Sequence, residues 1–111
     1  MDTSFKKEND VGHLYLVGDM DLLSKRMIEN SAKNAIQQCN HLHVHMDKVD
    51  YVDSSGLSAL LLIATSLVKE NKTFIITGAN ERVKNLFKIT NFDRFLLKNA
   101  VDTIIDDTKK I

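Results

Sequence analysis

The spacing of apolar and polar positions changes period several times along the chain, and each change marks an element. Leu14-Tyr15-Leu16-Val17 is a short apolar run stopped by Gly18, which predicts a strand over residues 11–17, with Gly12 at a turn. Asp19 and Asp21 then supply a turn and a candidate helix cap. Leu23, Met27, Ile28, Ala32, Ala35, Ile36 and Cys39 repeat by three and four, the apolar face of a helix over about residues 22–39. Lys25, Arg26, Glu29, Asn30, Lys33 and Asn34 fall mainly on the opposite face, and Asn40 is the stop. From His41 to Asp47 the chain alternates strictly, as a strand with one buried face does. Leu42, Val44 and Met46 turn towards the helices, and His41, His43 and His45 share the other side.

The stretch Tyr51-Val52-Asp53-Ser54-Ser55-Gly56-Leu57-Ser58-Ala59-Leu60-Leu61-Leu62 opens polar and small, then becomes strongly apolar. Val49, Tyr51 and Val52 tie down a strand-exit loop. Asp53, Ser54 and Ser55 carry side-chain oxygens suited to the free N–H groups of a first helical turn. Leu57, Leu60, Leu61, Ala64, Leu67 and Val68 follow at helical spacing, so a mostly buried helix runs to about Asn71. Phe74-Ile75-Ile76-Thr77 is a continuous apolar run, read as a strand buried on both sides. Asn80 can cap a third helix with Val83, Leu86 and Phe87 on one side. Phe92, Phe95, Leu96 and Leu97 read as a short closing strand, and Asn99 starts a last helix with Ala100, Val101, Ile104 and Ile105 inward.

Composition narrows the function classes. A chain of 111 residues with 43% hydrophobic and 27% charged residues is one domain, residues 1–111, of ordinary globular balance. Fifteen basic residues against fifteen acidic ones argue against general nucleic-acid binding, which needs clustered Lys and Arg. No apolar run is long enough to span a membrane, and the N-terminus has no apolar stretch behind its charges. The single Cys39 excludes an intramolecular disulfide and fits a reducing cytoplasm, which is the expected location.

Asp53-Ser54-Ser55-Gly56-Leu57, preceded by Val49 and Tyr51-Val52 and followed by an aliphatic helix, resembles the signature of the STAS domain, and more narrowly of the bacterial anti-sigma factor antagonists. Gly18-Asp19-Met20-Asp21 resembles the family's Gly-Glu-Leu-Asp turn. Phe74-Ile75-Ile76-Thr77-Gly78 resembles its fourth strand, and Val83-Lys84-Asn85-Leu86-Phe87-Lys88-Ile89-Thr90 its third helix. The resemblance implies an edge strand over residues 3–9 and the order β-β-α-β-α-β-α-β-α. Helices between strands imply right-handed parallel crossovers, and the short first turn implies an antiparallel pair. The expected architecture is α/β, a STAS-like single domain with a mixed, mostly parallel sheet and helices mainly on one face. Ser58 and Ala59 depart from the family, which often has glycine there, and Asn71 replaces a common helix-ending glycine.

The resemblance also implies a role. Unphosphorylated, the protein would bind an anti-sigma factor serine kinase and free a sigma factor for transcription. That kinase would phosphorylate the hydroxyl directly after the signature Asp, which is Ser54, and a serine phosphatase of the PP2C type would reset it. Asp19, Met20, Asp21, Asp53, Ser55, Gly56 and Leu57 would form the partner surface, with Met20 an exposed contact between two aspartates. A helix N-terminus is a favourable place for phosphate. A monomer or weak dimer is expected. The alternative is a STAS subunit of a lipid-transport or signalling complex that docks without a phosphate cycle. An enzyme is not expected: no Ser–His pair at a recognisable spacing and no Gly-rich phosphate loop is present.

No cofactor or metal is expected. Alternate residues on a strand lie about 7 Å apart, so adjacent histidines could chelate, but His41, His43 and His45 around one ion would be strained. The histidine face is expected to be a solvated polar surface. Cys39 is expected to be a small core residue.

Overall fold

The computed structural model describes residues 1–92 and, beyond them, residues 104–105. The chain begins with a hairpin. β1 (Asp2–Glu8) and β2 (Val11–Val17) pair antiparallel, Phe5 opposite Leu14, across a turn in which Asn9 takes a φ of 57°. Asn tolerates this left-handed conformation because its short polar side chain bonds locally. β1 is mostly exposed, as an edge strand carrying Asp, Lys and Glu should be.

The remaining strands run parallel to β2. β3 (His41–Lys48) pairs with β2, β4 (Thr73–Thr77) with β3, and β5 (Ile104–Ile105) with β4, giving the order β1-β2-β3-β4-β5. α1 (Lys25–Ile36), α2 (Ser54–Lys69) and α3 (Glu81–Ile89) connect them. The mixed, mostly parallel α/β sheet is as expected. Leu14, Leu16, Leu42, Val44, Met46, Phe74 and Ile76 point to one face, where Ile28, Ala32, Ala35, Ala59, Leu60, Ile63, Ala64 and Leu67 of the helices cover them. Each fully buried Leu, Ile or Phe contributes about 1.5–3 kcal/mol relative to exposure.

Several expectations need correction. Gly12, expected at a turn, lies inside β2, between Lys7 of β1 and Leu42 of β3. α1 starts at Lys25, not near residue 22, and Leu23 and Met27 are exposed. Their spacing matches the apolar period, but hydrogen bonds between Asp21 and Ser24 hold residues 21–24 in a turn that directs Leu22 and Leu23 outward. On α2, Leu61 is exposed, because the inward stripe runs through Leu60, Ile63, Ala64 and Leu67. β4 is buried on one side only: Phe74 and Ile76 are inward, whereas Ile75 lies on the opposite face. Finally, Phe92 is helical and packs on Phe87 with ring centroids 5.0 Å apart, while Ile104–Ile105 form a strand where a helix was expected. Pairing to the free edge of β4 supplies hydrogen bonds that local periodicity does not reveal. Phe95, Leu96, Leu97, Asn99, Ala100 and Val101 lie outside the described residues.

The end of α2 follows from one residue. Asn71 has a φ of 59°, which lets its N–H bond the Val68 carbonyl at 3.1 Å and the Lys72 N–H bond Leu67 at 2.9 Å. This is the Schellman arrangement, with Asn standing in for glycine. Asn71→Ala should lower stability by about 1 kcal/mol, whereas Asn71→Gly should be neutral or slightly stabilising. Urea unfolding checks the pair, and equal midpoints for the two variants would remove the backbone explanation.

Candidate functional site

At the start of α2 an aspartate caps the helix and two serines follow it. Asp53 is the N-cap, in extended backbone, and its Oδ1 accepts from Ser55 N–H at 2.8 Å and Gly56 N–H at 3.0 Å. Its carbonyl accepts the first helical bond, from Leu57, at 2.9 Å. One carboxylate thus satisfies two otherwise unpaired donors. Ser54, the first helical residue, is exposed, and among the described residues no hydrogen bond engages its hydroxyl. Ser55 is half-buried, and its hydroxyl likewise has no hydrogen bond among the described residues.

Beneath this helix start lies the Asp19–Asp21 turn. Met20 forms an isolated parallel bridge with Val52. Its N–H bonds the Tyr51 carbonyl at 2.8 Å, and its carbonyl accepts from Asp53 N–H at 3.0 Å. Gly56 sits against the same backbone. A Cβ there would lie 2.8 Å from the Met20 carbonyl carbon and collide with its oxygen. The glycine therefore serves contact between two parts of this chain.

The structure brings the expected site residues together unevenly. Asp19 is exposed and Asp21 half-buried, its Oδ1 accepting from Ser24 N–H at 3.1 Å. Met20 is fully buried, which corrects its expected role as an exposed partner contact. Gly56 is buried and Leu57 half-buried. The exposed apolar surface lies instead at Leu22, Leu23 and Met27, and at Tyr51. Leu23 and Met27 line a cleft of about 280 Å³ together with Asp19, Asp21, Ser24 and Met1. The sequence signal for them was present but pointed to the core, because the spacing of apolar residues does not reveal where a turn interrupts the helix. Cys39 is a core residue: its Sγ lies 3.3 Å from the Ala35 carbonyl, and burial pushes its thiol pKa up.

The model of the STAS domain matches residues 3–108. The chain belongs to the STAS domain family. It is 31% identical over 74 residues to an anti-sigma-B factor antagonist of Staphylococcus epidermidis, a match covering 66% of this chain and 68% of that protein. The crystal structure of a putative anti-sigma factor antagonist from Thermotoga maritima superposes with a TM-score of 0.80 at 18% identity, covering 97% of this chain and 90% of the other. The anti-sigma factor antagonist SpoIIAA of Bacillus superposes in its unphosphorylated form with a TM-score of 0.70 at 15% identity, covering 98% and 92% of the two chains. Among the described residues of this STAS domain, no helix is long and apolar enough to cross a membrane.

The face of the STAS sheet opposite the described helices carries the histidines. His43 and His45 of β3 are joined there by His13 of β2, whose Nδ1 lies 2.9 Å from His45 Nε2. His43 Nε2 is 3.0 Å from Thr77 Oγ1 on β4. His41, at the exposed end of β3, instead meets Thr73 at 2.7 Å. Burial first, then the neighbouring His45 and His13, hold His43 well below the ordinary imidazole range, at about 4, and burial also lowers His45.

Two outcomes follow. Gly56→Ala gains about 1 kcal/mol in helix propensity but forces a methyl into the Met20 carbonyl, where overpacking costs typically 1–3 kcal/mol. Denaturant unfolding should show net destabilisation, and a variant as stable as the parent would mean the turn yields freely. For His43 the folded state binds its proton less readily than the unfolded state. Its contribution is complete above pH 6.5 and is lost as pH falls from 6.5 towards about 4. Relative to the parent, His43→Gln should show a shallower loss of stability across that window, read from urea midpoints at successive pH values.

Proposed function

We propose that this protein is an anti-sigma factor antagonist that works by partner switching. Unphosphorylated, it binds an anti-sigma factor that is also a serine kinase. That kinase phosphorylates Ser54, the phosphorylated form lets go, and a serine phosphatase of the PP2C type restores the binding form. The protein itself is not an enzyme in this cycle, and the cycle runs in the cytoplasm. The observation that carries the reading is the exposed, unengaged hydroxyl of Ser54 on a helix start whose neighbouring N–H groups Asp53 already occupies. The names of the related antagonists, one of them solved in both phosphorylation states, support the same role.

The docking surface in this reading comprises Asp53, Ser54, Ser55 and Leu57 on one side of the Met20 turn. Asp19, Asp21, Leu23 and Met27 form the other side. Exposed apolar side chains beside carboxylates suit a partner that presents an apolar patch rimmed with basic groups. Met20 and Gly56 shape this surface from beneath.

Phosphate at Ser54 adds about −1.5 to −2 charges at neutral pH. The helix dipole favours that charge by about 0.3–1 kcal/mol at an exposed site. Asp53 opposes it and already holds the Ser55 and Gly56 N–H groups, so the fold has little reason to rearrange. Across an interface the dianion must be desolvated against a partner shaped for a neutral serine. A loss of several kcal/mol there is a loss of several powers of ten in affinity, at about 1.4 kcal/mol for each tenfold. Incubation with a cognate kinase and ATP should place phosphate on Ser54 by mass spectrometry, with unchanged melting and sharply weaker binding. Ser54→Ala should bind without accepting phosphate, and Ser55→Ala should still be phosphorylated. Phosphate on Ser55 would refute the site, and undiminished binding of the phosphoprotein would refute the switch.

A further inference from the structure

The histidine face offers a second chemistry. His43 and His45 stand two apart on β3, and His13, opposite His43 in the register, reaches the same place from β2. Each offers one nitrogen, and these nitrogens all lie within 4.8 Å of one another. A tetrahedral zinc ion with bonds of about 2.0–2.1 Å holds its nitrogens about 3.3 Å apart. The 2.9 Å separation of His13 Nδ1 and His45 Nε2 is close to that figure, and side-chain rotation has to draw in the remaining separations from at most 4.8 Å. The strain that argued against three ligands on one strand disappears when the neighbouring strand supplies one of them.

We propose that His13, His43 and His45 form a three-imidazole site for a divalent first-row transition ion, with Zn²⁺ as its occupant, on the face of the sheet opposite the described helices.

Three neighbours suit this role. Glu8 Oε1 lies 3.2 Å from His13 Nε2 and can hold a proton there, so an ion can displace the hydrogen bond between His13 Nδ1 and His45 Nε2 and take the Nδ1 lone pair. Thr77 Oγ1 lies 3.4 Å from His45 Nδ1 and orients that ring in the same way, leaving Nε2 for the ion. The Tyr15 ring stacks on His45 at 4.3 Å and His43 stacks on it at 4.1 Å, which restricts the imidazole the ion must find in place. The carboxylates of Glu8 and Asp47 act on these histidines and offset the added charge. All three ligands are half-buried, so a fourth position stays open to water or to a donor from another molecule. The ion would tie β2 to β3, the two strands that lead into the Met20 turn and the Asp53 loop.

The test uses the full chain without a histidine tag, stripped with a chelator and titrated with zinc chloride by calorimetry at neutral pH. One ion per chain with a Kd of about 10 µM or tighter is expected, together with a rise in melting temperature. His13→Gln and His43→Gln should each weaken binding at least about tenfold, and Glu8→Gln should weaken it measurably. His41→Gln should leave it unchanged. Cobalt in place of zinc should show the intense visible bands of a tetrahedral site. Circular dichroism reports whether each variant folds, and His43→Gln carries the test if His13→Gln does not. No stoichiometric binding would overturn the proposal. So would zinc binding that survives His13→Gln and falls with His41→Gln, since the ion would then sit on β3 alone.

Discussion

Two backbone hydrogen bonds, one on each side of Met20, hold the serine-bearing end of this domain in place. They join Met20 to Tyr51 and Asp53, segments separated by some thirty residues of chain. Everything nearby is conditional on them. They bring the Asp19–Asp21 turn beneath α2, require a residue without a Cβ at position 56, and bury a methionine that would otherwise be a surface side chain. Because peptide groups rather than side chains make the joint, it depends on close backbone approach, and the small residue at the crossing point is what permits that approach.

The described helices all pack on one face of the sheet, and this has a separate consequence. Strands covered on both faces must be apolar throughout, but here one face of β2, β3 and β4 carries His13, Tyr15, His43, His45, Ile75 and Thr77. Imidazoles, a phenol and a hydroxyl can pack against each other there and still reach water. The hydrogen-bonded, stacked histidines form a polar layer instead of a second core. The sheet thus separates two chemistries, with the serine at the strand ends and the imidazoles on the face opposite the described helices.

The likeness in fold to solved structures at 18% identity or below shows that the fold survives wide change in residue identity. In this chain it rests on the alternation of β3, the inward stripe of α2, the caps at Asp53 and Asn80, and left-handed backbone at the helix and hairpin ends. These constrain residue class more than residue identity, as expected when packing tolerates volume-conserving exchange and caps accept any short side chain with an acceptor oxygen. Asn71 illustrates the point, since it supplies the conformation for which glycine is the usual choice.

Local physics made much of this protein legible in its sequence. The strict alternation from His41 to Asp47 fixed which side of β3 is buried, because a strand's side chains can only alternate. Asp53 and Asn80 announced their helices, because few residue types can cap. The placement of Ser54 at a helix start followed from the same reasoning. Tertiary structure decided the rest. Met20 is buried and Leu23 exposed, the reverse of the local pattern, because a long-range bridge to Val52 sets where the turn points. Ile104–Ile105 became a strand because β4 had an edge to pair with. His13 joined His43 and His45 because the parallel register of β2 and β3 sets residues 13 and 43 side by side. Spacing along one strand cannot show what an adjacent strand brings to the same face, since that depends on register and on which strands are neighbours.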